Sequence, residues 1–356
     1  MMRAVNTDKR TRICIDLTLA ILLAGVFVMA ASYIYLNLFC YTSGMDADIG
    51  GEALLSRAIW ESGSLVPESW IASTETRILS IPALASFFYG MTGSMTLAMG
   101  IACSIGMLLL LALYAVFMRT AGLTWLPVAG GILALFAVVG STRHAQLLFL
   151  QADYYTPCVC IMLITLSVYL RLTAGACRTA STRDSAGCNK TSGQEVLLTL
   201  ICLLLAYLLS MSGMRGMLVI YVPLAATECL LWIIFAVDHG RTGHGIPRER
   251  VRGAWFALGC IAAAYFGTQS PYSVDTGASR NIRHGLEKLT TVVLPDVLDC
   301  LGLDSGWTLA GVITMLLLLA SAVLLFMGFV DSTFRLKDEN TRSDKSGGDV
   351  AWYRLI

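Results

Sequence analysis

Long apolar runs, separated by short polar segments, dominate this sequence and restrict what it can fold into. Hydrophobic residues make up 56% of the 356 and charged residues only 14%, whereas about a quarter of an ordinary soluble domain is charged. Runs long enough to cross about 30 Å of hydrocarbon at 1.5 Å per residue predict eight transmembrane helices. The predicted fold is therefore all-α, a polytopic membrane helix bundle. The spans fall at about 13–38, 94–118, 123–140, 147–170, 196–212, 216–237, 253–267 and 307–330.

The basic residues predict how the bundle is oriented. With a cytoplasmic N-terminus, most of the 25 Lys and Arg residues fall in inside segments, as the positive-inside rule requires. This N-in, C-in arrangement places loops 40–93 and 268–306 of the membrane domain (residues 1–330) outside. Residues 331–356 are interpreted as a charged cytoplasmic tail that leads toward a further, missing membrane helix. The net charge of +1 says nothing about nucleic acid, but no basic patch exists outside short loops, so no nucleic-acid partner is expected.

The first outer loop is acidic, and part of it has helical periodicity. Residues 40–80 hold six carboxylates against two cations. Residues 51–61 predict an amphipathic helix on the membrane surface, and Asp48 just before it is interpreted as its N-cap. A second amphipathic segment is predicted at 76–89, with Pro82 near its middle. The first helix is expected to put Leu54, Leu55, Ala58 and Ile59 on its apolar face, with Glu52, Ser56 and Arg57 on the other side.

The order of these parts resembles the GT-C class of membrane glycosyltransferases, which includes protein O-mannosyltransferases and the aminoarabinose transferases of lipid A. The matching residues are Asp46-Ala47-Asp48, Glu52, the helix 54–60, Trp70, Thr74-Glu75-Thr76-Arg77, and the turn 212–216 followed by Pro223. The resemblance covers about residues 10–330, although the chain is shorter than such enzymes usually are. It implies a multi-pass protein of a bacterial cell membrane. Such a protein would move a sugar from a polyprenyl-phosphate donor to an acceptor at the extracytoplasmic face.

The resemblance also implies roles for individual residues. Asp48 matches the catalytic base, with Asp46 as its neighbour or as the base itself. Arg215 is the best candidate for binding the donor phosphate. It lies on a turn predicted to be outside, whereas most basic residues of the chain fall in cytoplasmic segments. Arg280 and Arg283, on the second outer loop, are weaker candidates of the same kind. The residues expected to bind the acceptor or line the cavity are Glu75, Arg77, Asp153 and Tyr154.

Simpler interpretations of the same residues stay open. Asp48 can serve only as a helix cap, and Arg215 can extend to lipid headgroups. Intramembrane Glu228 is interpreted as a helix-packing hydrogen bond. No spacing of ligands indicates a metal site, although Asp46 and Asp48 can share a divalent cation. The alternatives to a glycosyltransferase are a transporter or flippase of a lipid-linked or polar substrate, and a non-catalytic envelope protein of the same fold that binds membrane lipids.

Overall fold

A computed structural model of the chain describes residues 2–68, 70, 78–137, 148–150, 155–174, 193–242 and 248–270. Every regular element in these residues is helical, which confirms the predicted all-α class. The helices are α1 Met2–Phe39, α2 Ala47–Ser62, α3 Ile81–Thr92, α4 Met95–Thr120, α5 Trp125–Ala137, α6 Thr156–Ala174, α7 Gly193–Met211, α8 Val222–Thr242 and α9 Arg248–Thr268. A 3-10 turn (Tyr41–Gly44) follows α1. A short helical turn (Met214–Gly216) and a π turn (Met217–Tyr221) lie between α7 and α8.

Five helical segments in the described part of the chain are long and apolar enough to cross a membrane. They are Arg12–Phe39, Met95–Thr120, Thr156–Thr173, Gly193–Met211 and Met214–Ile233. The chain is therefore a membrane-embedded helical protein, and these segments match five of the predicted spans. The third predicted span corresponds to the shorter apolar helix α5, and the seventh lies within α9. The eighth falls outside the described residues, so the count of eight stays a prediction.

Local sequence explains where α3 and α4 begin and end. Ser80 and Ser94 are their N-caps, and each side chain accepts a hydrogen bond from the backbone N–H three residues later. Gly93 ends α3 at φ 68°, a left-handed conformation that glycine adopts without strain. Pro82 is the second residue of α3, so its expected place near the middle of a helix was wrong. The first turn suits proline because its N–H groups have no partner within the helix.

The described helices pack around three apolar clusters. The first joins α1, α4, α5 and α6 through the rings of Tyr33, Phe136 and Phe149, whose centroids lie 5.2–5.6 Å apart. The second fills the space among α6, α7, α8 and α9. The third lies between α2, α3 and the first half of α4, and it supports the loop that carries the acidic residues.

Close backbone contact joins α1 to α4. Asn37 is fully buried on α1, and its Nδ2 donates a hydrogen bond of 2.9 Å to the carbonyl of Phe149. A Cβ on Gly100 of α4 would collide with the backbone carbonyl oxygen of Asn37. Because that obstacle is backbone, a larger residue at position 100 requires the two helices to separate.

We expect Gly100→Ala to lower the free energy of unfolding in detergent by about 1–3 kcal/mol, the usual cost of overpacking a core. Gly25→Ala is the matched control, since a Cβ there meets only the Leu133 side chain at 3.5 Å. Both substitutions replace a helical glycine by alanine and gain the same helix propensity. The difference between their free energies of unfolding therefore measures the cost of the clash at position 100. Equal unfolding curves for the two variants would show that α1 and α4 can separate without cost.

Candidate functional site

The first turn of α2 is held by Asp46. This residue has an extended backbone conformation (φ −100°, ψ −174°), and its Oδ1 accepts a 2.8 Å hydrogen bond from the backbone N–H of Ile49. Asp46 is therefore the N-cap, and the interpretation of Asp48 as the cap was wrong. The helix also begins at Ala47, four residues before the predicted start. The cap and the burial of Ile49 outweigh the low helix propensity of the two glycines that follow.

Asp48 lies inside the first turn of α2, with its side chain exposed. Within the described ranges its carboxylate has no hydrogen-bond or ion-pair partner. The positive end of the helix dipole favours a negative charge at this position. The two aspartates are therefore in different states, since Asp46 is engaged by the helix and Asp48 is available to another molecule.

The buried face of α2 differs from the predicted one. Ile49, Ala53, Ser56 and Ile59 are buried, whereas Leu54 is half exposed. The Ser56 hydroxyl is satisfied within the helix, because it donates to the Ala53 carbonyl at 2.7 Å. Alanine and serine let the helix backbones approach closely, so these small side chains are buried on the same face as the two isoleucines.

Contacts with α3 and α4 hold α2 in place. Ile49 and Ala53 pack against Ile81, Ala85 and Met99 in the third cluster. Farther along, the Trp60 ring lies over Gly90 of α3, where a Cβ would collide with the indole. The end of α2 that carries both aspartates is therefore fixed relative to α3 and α4.

A surface ion pair occupies the other side of α2. Arg57 Nε donates to Glu61 Oε1 at 2.7 Å, one helical turn away. This hydrogen bond, reinforced by the negative charge of Glu61, raises the pKa of Arg57. Both side chains are about half exposed, so the pair contributes little to stability. The pair also occupies Arg57, which is the single basic residue of α2.

Arg215 lies on the tight turn between α7 and the following helical segment. Gly213 makes the turn with φ 123°, which disfavours side chains, and the exposed Arg215 follows two residues later. Its Nη1 donates to Tyr155 Oη at 3.4 Å, and its guanidinium carbon lies 5.7 Å from the centre of that ring. This cation–π geometry orients Arg215 against the start of α6.

Sequence reasoning named Tyr154 and missed its neighbour Tyr155. The available signal was an aromatic residue directly before Thr156-Pro157, a pair typical of a helix start. An aromatic side chain placed there lies at the same end of the bundle as the turn with Arg215.

Six of the predicted site residues lie outside the described residues, so their roles stay predictions. Among the residues that are described, no group of three His, Cys, Asp or Glu side chains is arranged to hold a metal ion. The shared divalent cation therefore also stays a prediction. The six residues are Glu75, Arg77, Asp153, Tyr154, Arg280 and Arg283.

The helix-packing hydrogen bond predicted for Glu228 is confirmed. The Tyr169 hydroxyl on α6 donates to Oε1 of the buried Glu228 carboxylate on α8. Arg250 Nη1, on α9, lies 3.9 Å from the same oxygen. Glu228 therefore joins three helices at the end of the bundle opposite the Gly213 turn.

We expect Asp46→Ala to destabilise α2 by about 1 kcal/mol, because it removes the N-cap. Asp46→Ser, which keeps a capping oxygen, should retain most of that stability. Hydrogen–deuterium exchange at the amides of α2 measures the effect, with Asp48→Ala as the comparison. Faster exchange in Asp48→Ala than in Asp46→Ala would contradict the assignment of the cap.

No family model, curated protein or solved structure matches the chain. The function must therefore be inferred from the chemistry of the residues, from their contacts and from the membrane-embedded helical fold.

Proposed function

We propose that the protein is a membrane glycosyltransferase that moves a sugar from a polyprenyl-phosphate donor to an acceptor hydroxyl outside the cytoplasm. The observation that carries the proposal is the exposed Asp48 carboxylate, which has no partner in the described part of the chain and lies on an anchored helix. Cytoplasmic nucleotide sugars do not reach that face, so a lipid carrier is the natural donor. The helix that carries Asp48 packs against α4, which is long and apolar enough to span a membrane, and the proposal puts the prenyl chain of the donor along such helices.

Asp48 acts as the general base in this reaction. Its carboxylate accepts the proton of the acceptor hydroxyl while the hydroxyl oxygen attacks the anomeric carbon of the sugar. The bond from that carbon to the phosphate oxygen breaks, and its electron pair leaves with the polyprenyl phosphate. Asp46 supports the base indirectly, because its oxygen holds the first turn on which Asp48 lies.

Arg215 stabilises the departing phosphate. Negative charge grows on that group as the bond breaks, and a guanidinium offers several N–H donors in a planar array. The Tyr155 ring orients Arg215. By the resemblance to GT-C enzymes, Arg280 and Arg283 stay candidates for binding the donor phosphate, and Glu75, Arg77, Asp153 and Tyr154 stay candidates for binding the acceptor or lining a cavity.

The proposal requires the start of α2 and the Arg215 turn to lie on the outer side. The distribution of basic residues supports an N-in, C-in bundle, and loop 40–93 is then extracytoplasmic. That the bundle has eight spans and lies in a bacterial cell membrane follows from the apolar runs and from the resemblance, respectively.

A periplasmic reporter enzyme inserted after Ser64, in the exposed turn that ends α2, should be active. The same reporter inserted at residue 185, between the fourth and fifth predicted spans, should be inactive, because the N-in, C-in arrangement predicts that this segment is cytoplasmic. The reverse pattern of activity would rule out the proposed site.

We expect Asp48→Asn to lower the rate of sugar transfer by about 100- to 10,000-fold, the usual contribution of a general base. The assay uses the full chain in membranes with radiolabelled polyprenyl-phosphate sugars and follows loss of sugar from the lipid. Asp46→Ser is the matched control, since it retains the cap and should keep most of the activity. Arg215→Ala should raise KM for the donor, and Arg215→Lys should recover only part of the loss.

Unchanged turnover in both Asp48→Asn and Asp46→Asn would refute the assigned base. Absence of turnover with every donor, together with substrate flux into vesicles, would favour a transporter. Absence of both activities would favour a non-catalytic envelope protein.

A further inference from the structure

Polar atoms without partners are concentrated in one part of the bundle. Among the described residues, five buried side-chain N or O atoms have no hydrogen-bond partner, and all lie on α6, α7, α8 or the π turn. None belongs to the proposed glycosyltransferase site at the start of α2. The five are the hydroxyls of Thr165, Ser210 and Tyr221, Oε2 of Glu228 and Nε1 of Trp232.

Three of these side chains lie on one stripe of the helical segment that includes α8. Tyr221, Glu228 and Trp232 are separated by seven and four residues, close to whole turns of an α-helix. They extend for about 16 Å along the helix axis, at 1.5 Å per residue. Tyr221 is fully buried and Glu228 is only 3% exposed, so the stripe faces the bundle rather than lipid.

A second polar stripe on α6 faces the first. Thr165 and Tyr169 are one turn apart, and both are buried. Tyr169 donates to Glu228, and the Thr165 hydroxyl lies close enough to the Tyr221 phenol to interact with it, although the geometry falls short of a full hydrogen bond. The two stripes therefore run side by side along the interface between helices.

A face of α9 packs beside the two stripes, and its small residues are seven positions apart. A Cβ on Gly253 would come within 2.9 Å of Glu228 Oε1. Cys260 is fully buried and lies near Tyr221. Gly267 is buried near Ser210, and a Cβ added to Gly267 would lie 3.0 Å from the Cβ of Ser210. Along α9, these contacts place Glu228, Tyr221 and Ser210 in that order, and we call these polar side chains, together with Thr165 and Trp232, the row.

We propose that this row, from Ser210 to Glu228 and Trp232, is a hydrated track through the bundle, and that Glu228 takes up and releases protons along it. An unpaired polar atom in an apolar interior costs about 1–3 kcal/mol, and a buried water with two to four partners removes that cost. Hydroxyl groups and water both donate and accept hydrogen bonds, so a row of them can relay a proton. A carboxylate inside a membrane protein is the usual proton-binding group of such relays.

Polar and charged groups from neighbouring helices lie at the same end of the bundle as Glu228. Tyr169 faces its carboxylate from α6 and Arg250 from α9, and on α7 Glu195 lies 4.0 Å from Arg252 at the same end. The Arg250 side chain is 35% exposed. When Oε2 of Glu228 gains a proton, the Arg250 charge loses its counter-ion and can be hydrated instead. The proton then moves through water and the hydroxyls of Tyr221, Thr165 and Ser210.

Proton flux into vesicles tests this proposal. The full chain is reconstituted into vesicles that contain a pH-sensitive dye, and a potassium diffusion potential drives protons inward. We expect acidification faster than in protein-free vesicles for the wild type. Glu228→Gln should reduce the rate to that of protein-free vesicles, while Tyr221→Phe and Thr165→Val should slow it.

Two variants serve as matched controls. Thr227→Val alters an exposed hydroxyl that bonds only to the backbone carbonyl of Pro223. Glu195→Gln removes a carboxylate at the same end of the bundle but outside the row. Both should keep the wild-type flux, and thermal unfolding in detergent verifies that each variant is folded.

Wild-type flux equal to that of protein-free vesicles would overturn the proposal, as would unchanged flux in both Glu228→Gln and Tyr221→Phe. If Glu228→Gln fails to fold, the flux of Tyr221→Phe tests the proposal instead, because that substitution removes a single oxygen atom. Unchanged flux in Tyr221→Phe would then overturn it. Sugar transfer by Asp48 is measured separately, so either proposal can fail without the other.

Discussion

Close approach of helix backbones is the constraint on which this structure depends. In a membrane, apolar side chains gain little by leaving lipid for a neighbouring helix, so association relies on contact and shape. Gly100 rests against the Asn37 carbonyl, and Gly267 rests against the Tyr207 carbonyl in the same way. Ala53 and Ser56 allow the same approach for α2. The helix α2 with its aspartates and the row of buried hydroxyls both depend on these contacts for their positions.

The two proposed activities use carboxylates in opposite environments. Asp48 is exposed at the start of a helix, where its only described support is the turn capped by Asp46. Glu228 is buried among three helices, where tyrosine and arginine side chains approach one of its oxygens. The first is suited to a substrate that arrives from outside. The second is suited to a proton, since no larger ligand is needed to satisfy its remaining oxygen.

The sequence predicted apolar spans better than it predicted contacts. Runs of apolar residues mark α1, α4, α6, α7 and α8 because span length follows from hydrocarbon thickness. The cap was misplaced by two residues, because the apolar spacing placed the helix start at Gly51 and not at Ala47. The face of α2 was misassigned because Ser56 satisfies its own hydroxyl and packs as a small residue. Tyr155 was missed because its contact with Arg215 joins positions 60 residues apart, which no local pattern reveals.

The seven-residue spacing of Gly253, Cys260 and Gly267 also limits how this chain can vary. Each position borders a neighbouring helix and a polar side chain of the row at once. A larger residue would push the helices apart and fill the space beside Glu228, Tyr221 or Ser210. Larger side chains that would stabilise an ordinary protein core by filling space are therefore expected to destabilise this protein at these three positions. We expect homologues to keep small residues at these positions, even where the surrounding lipid-facing residues have diverged.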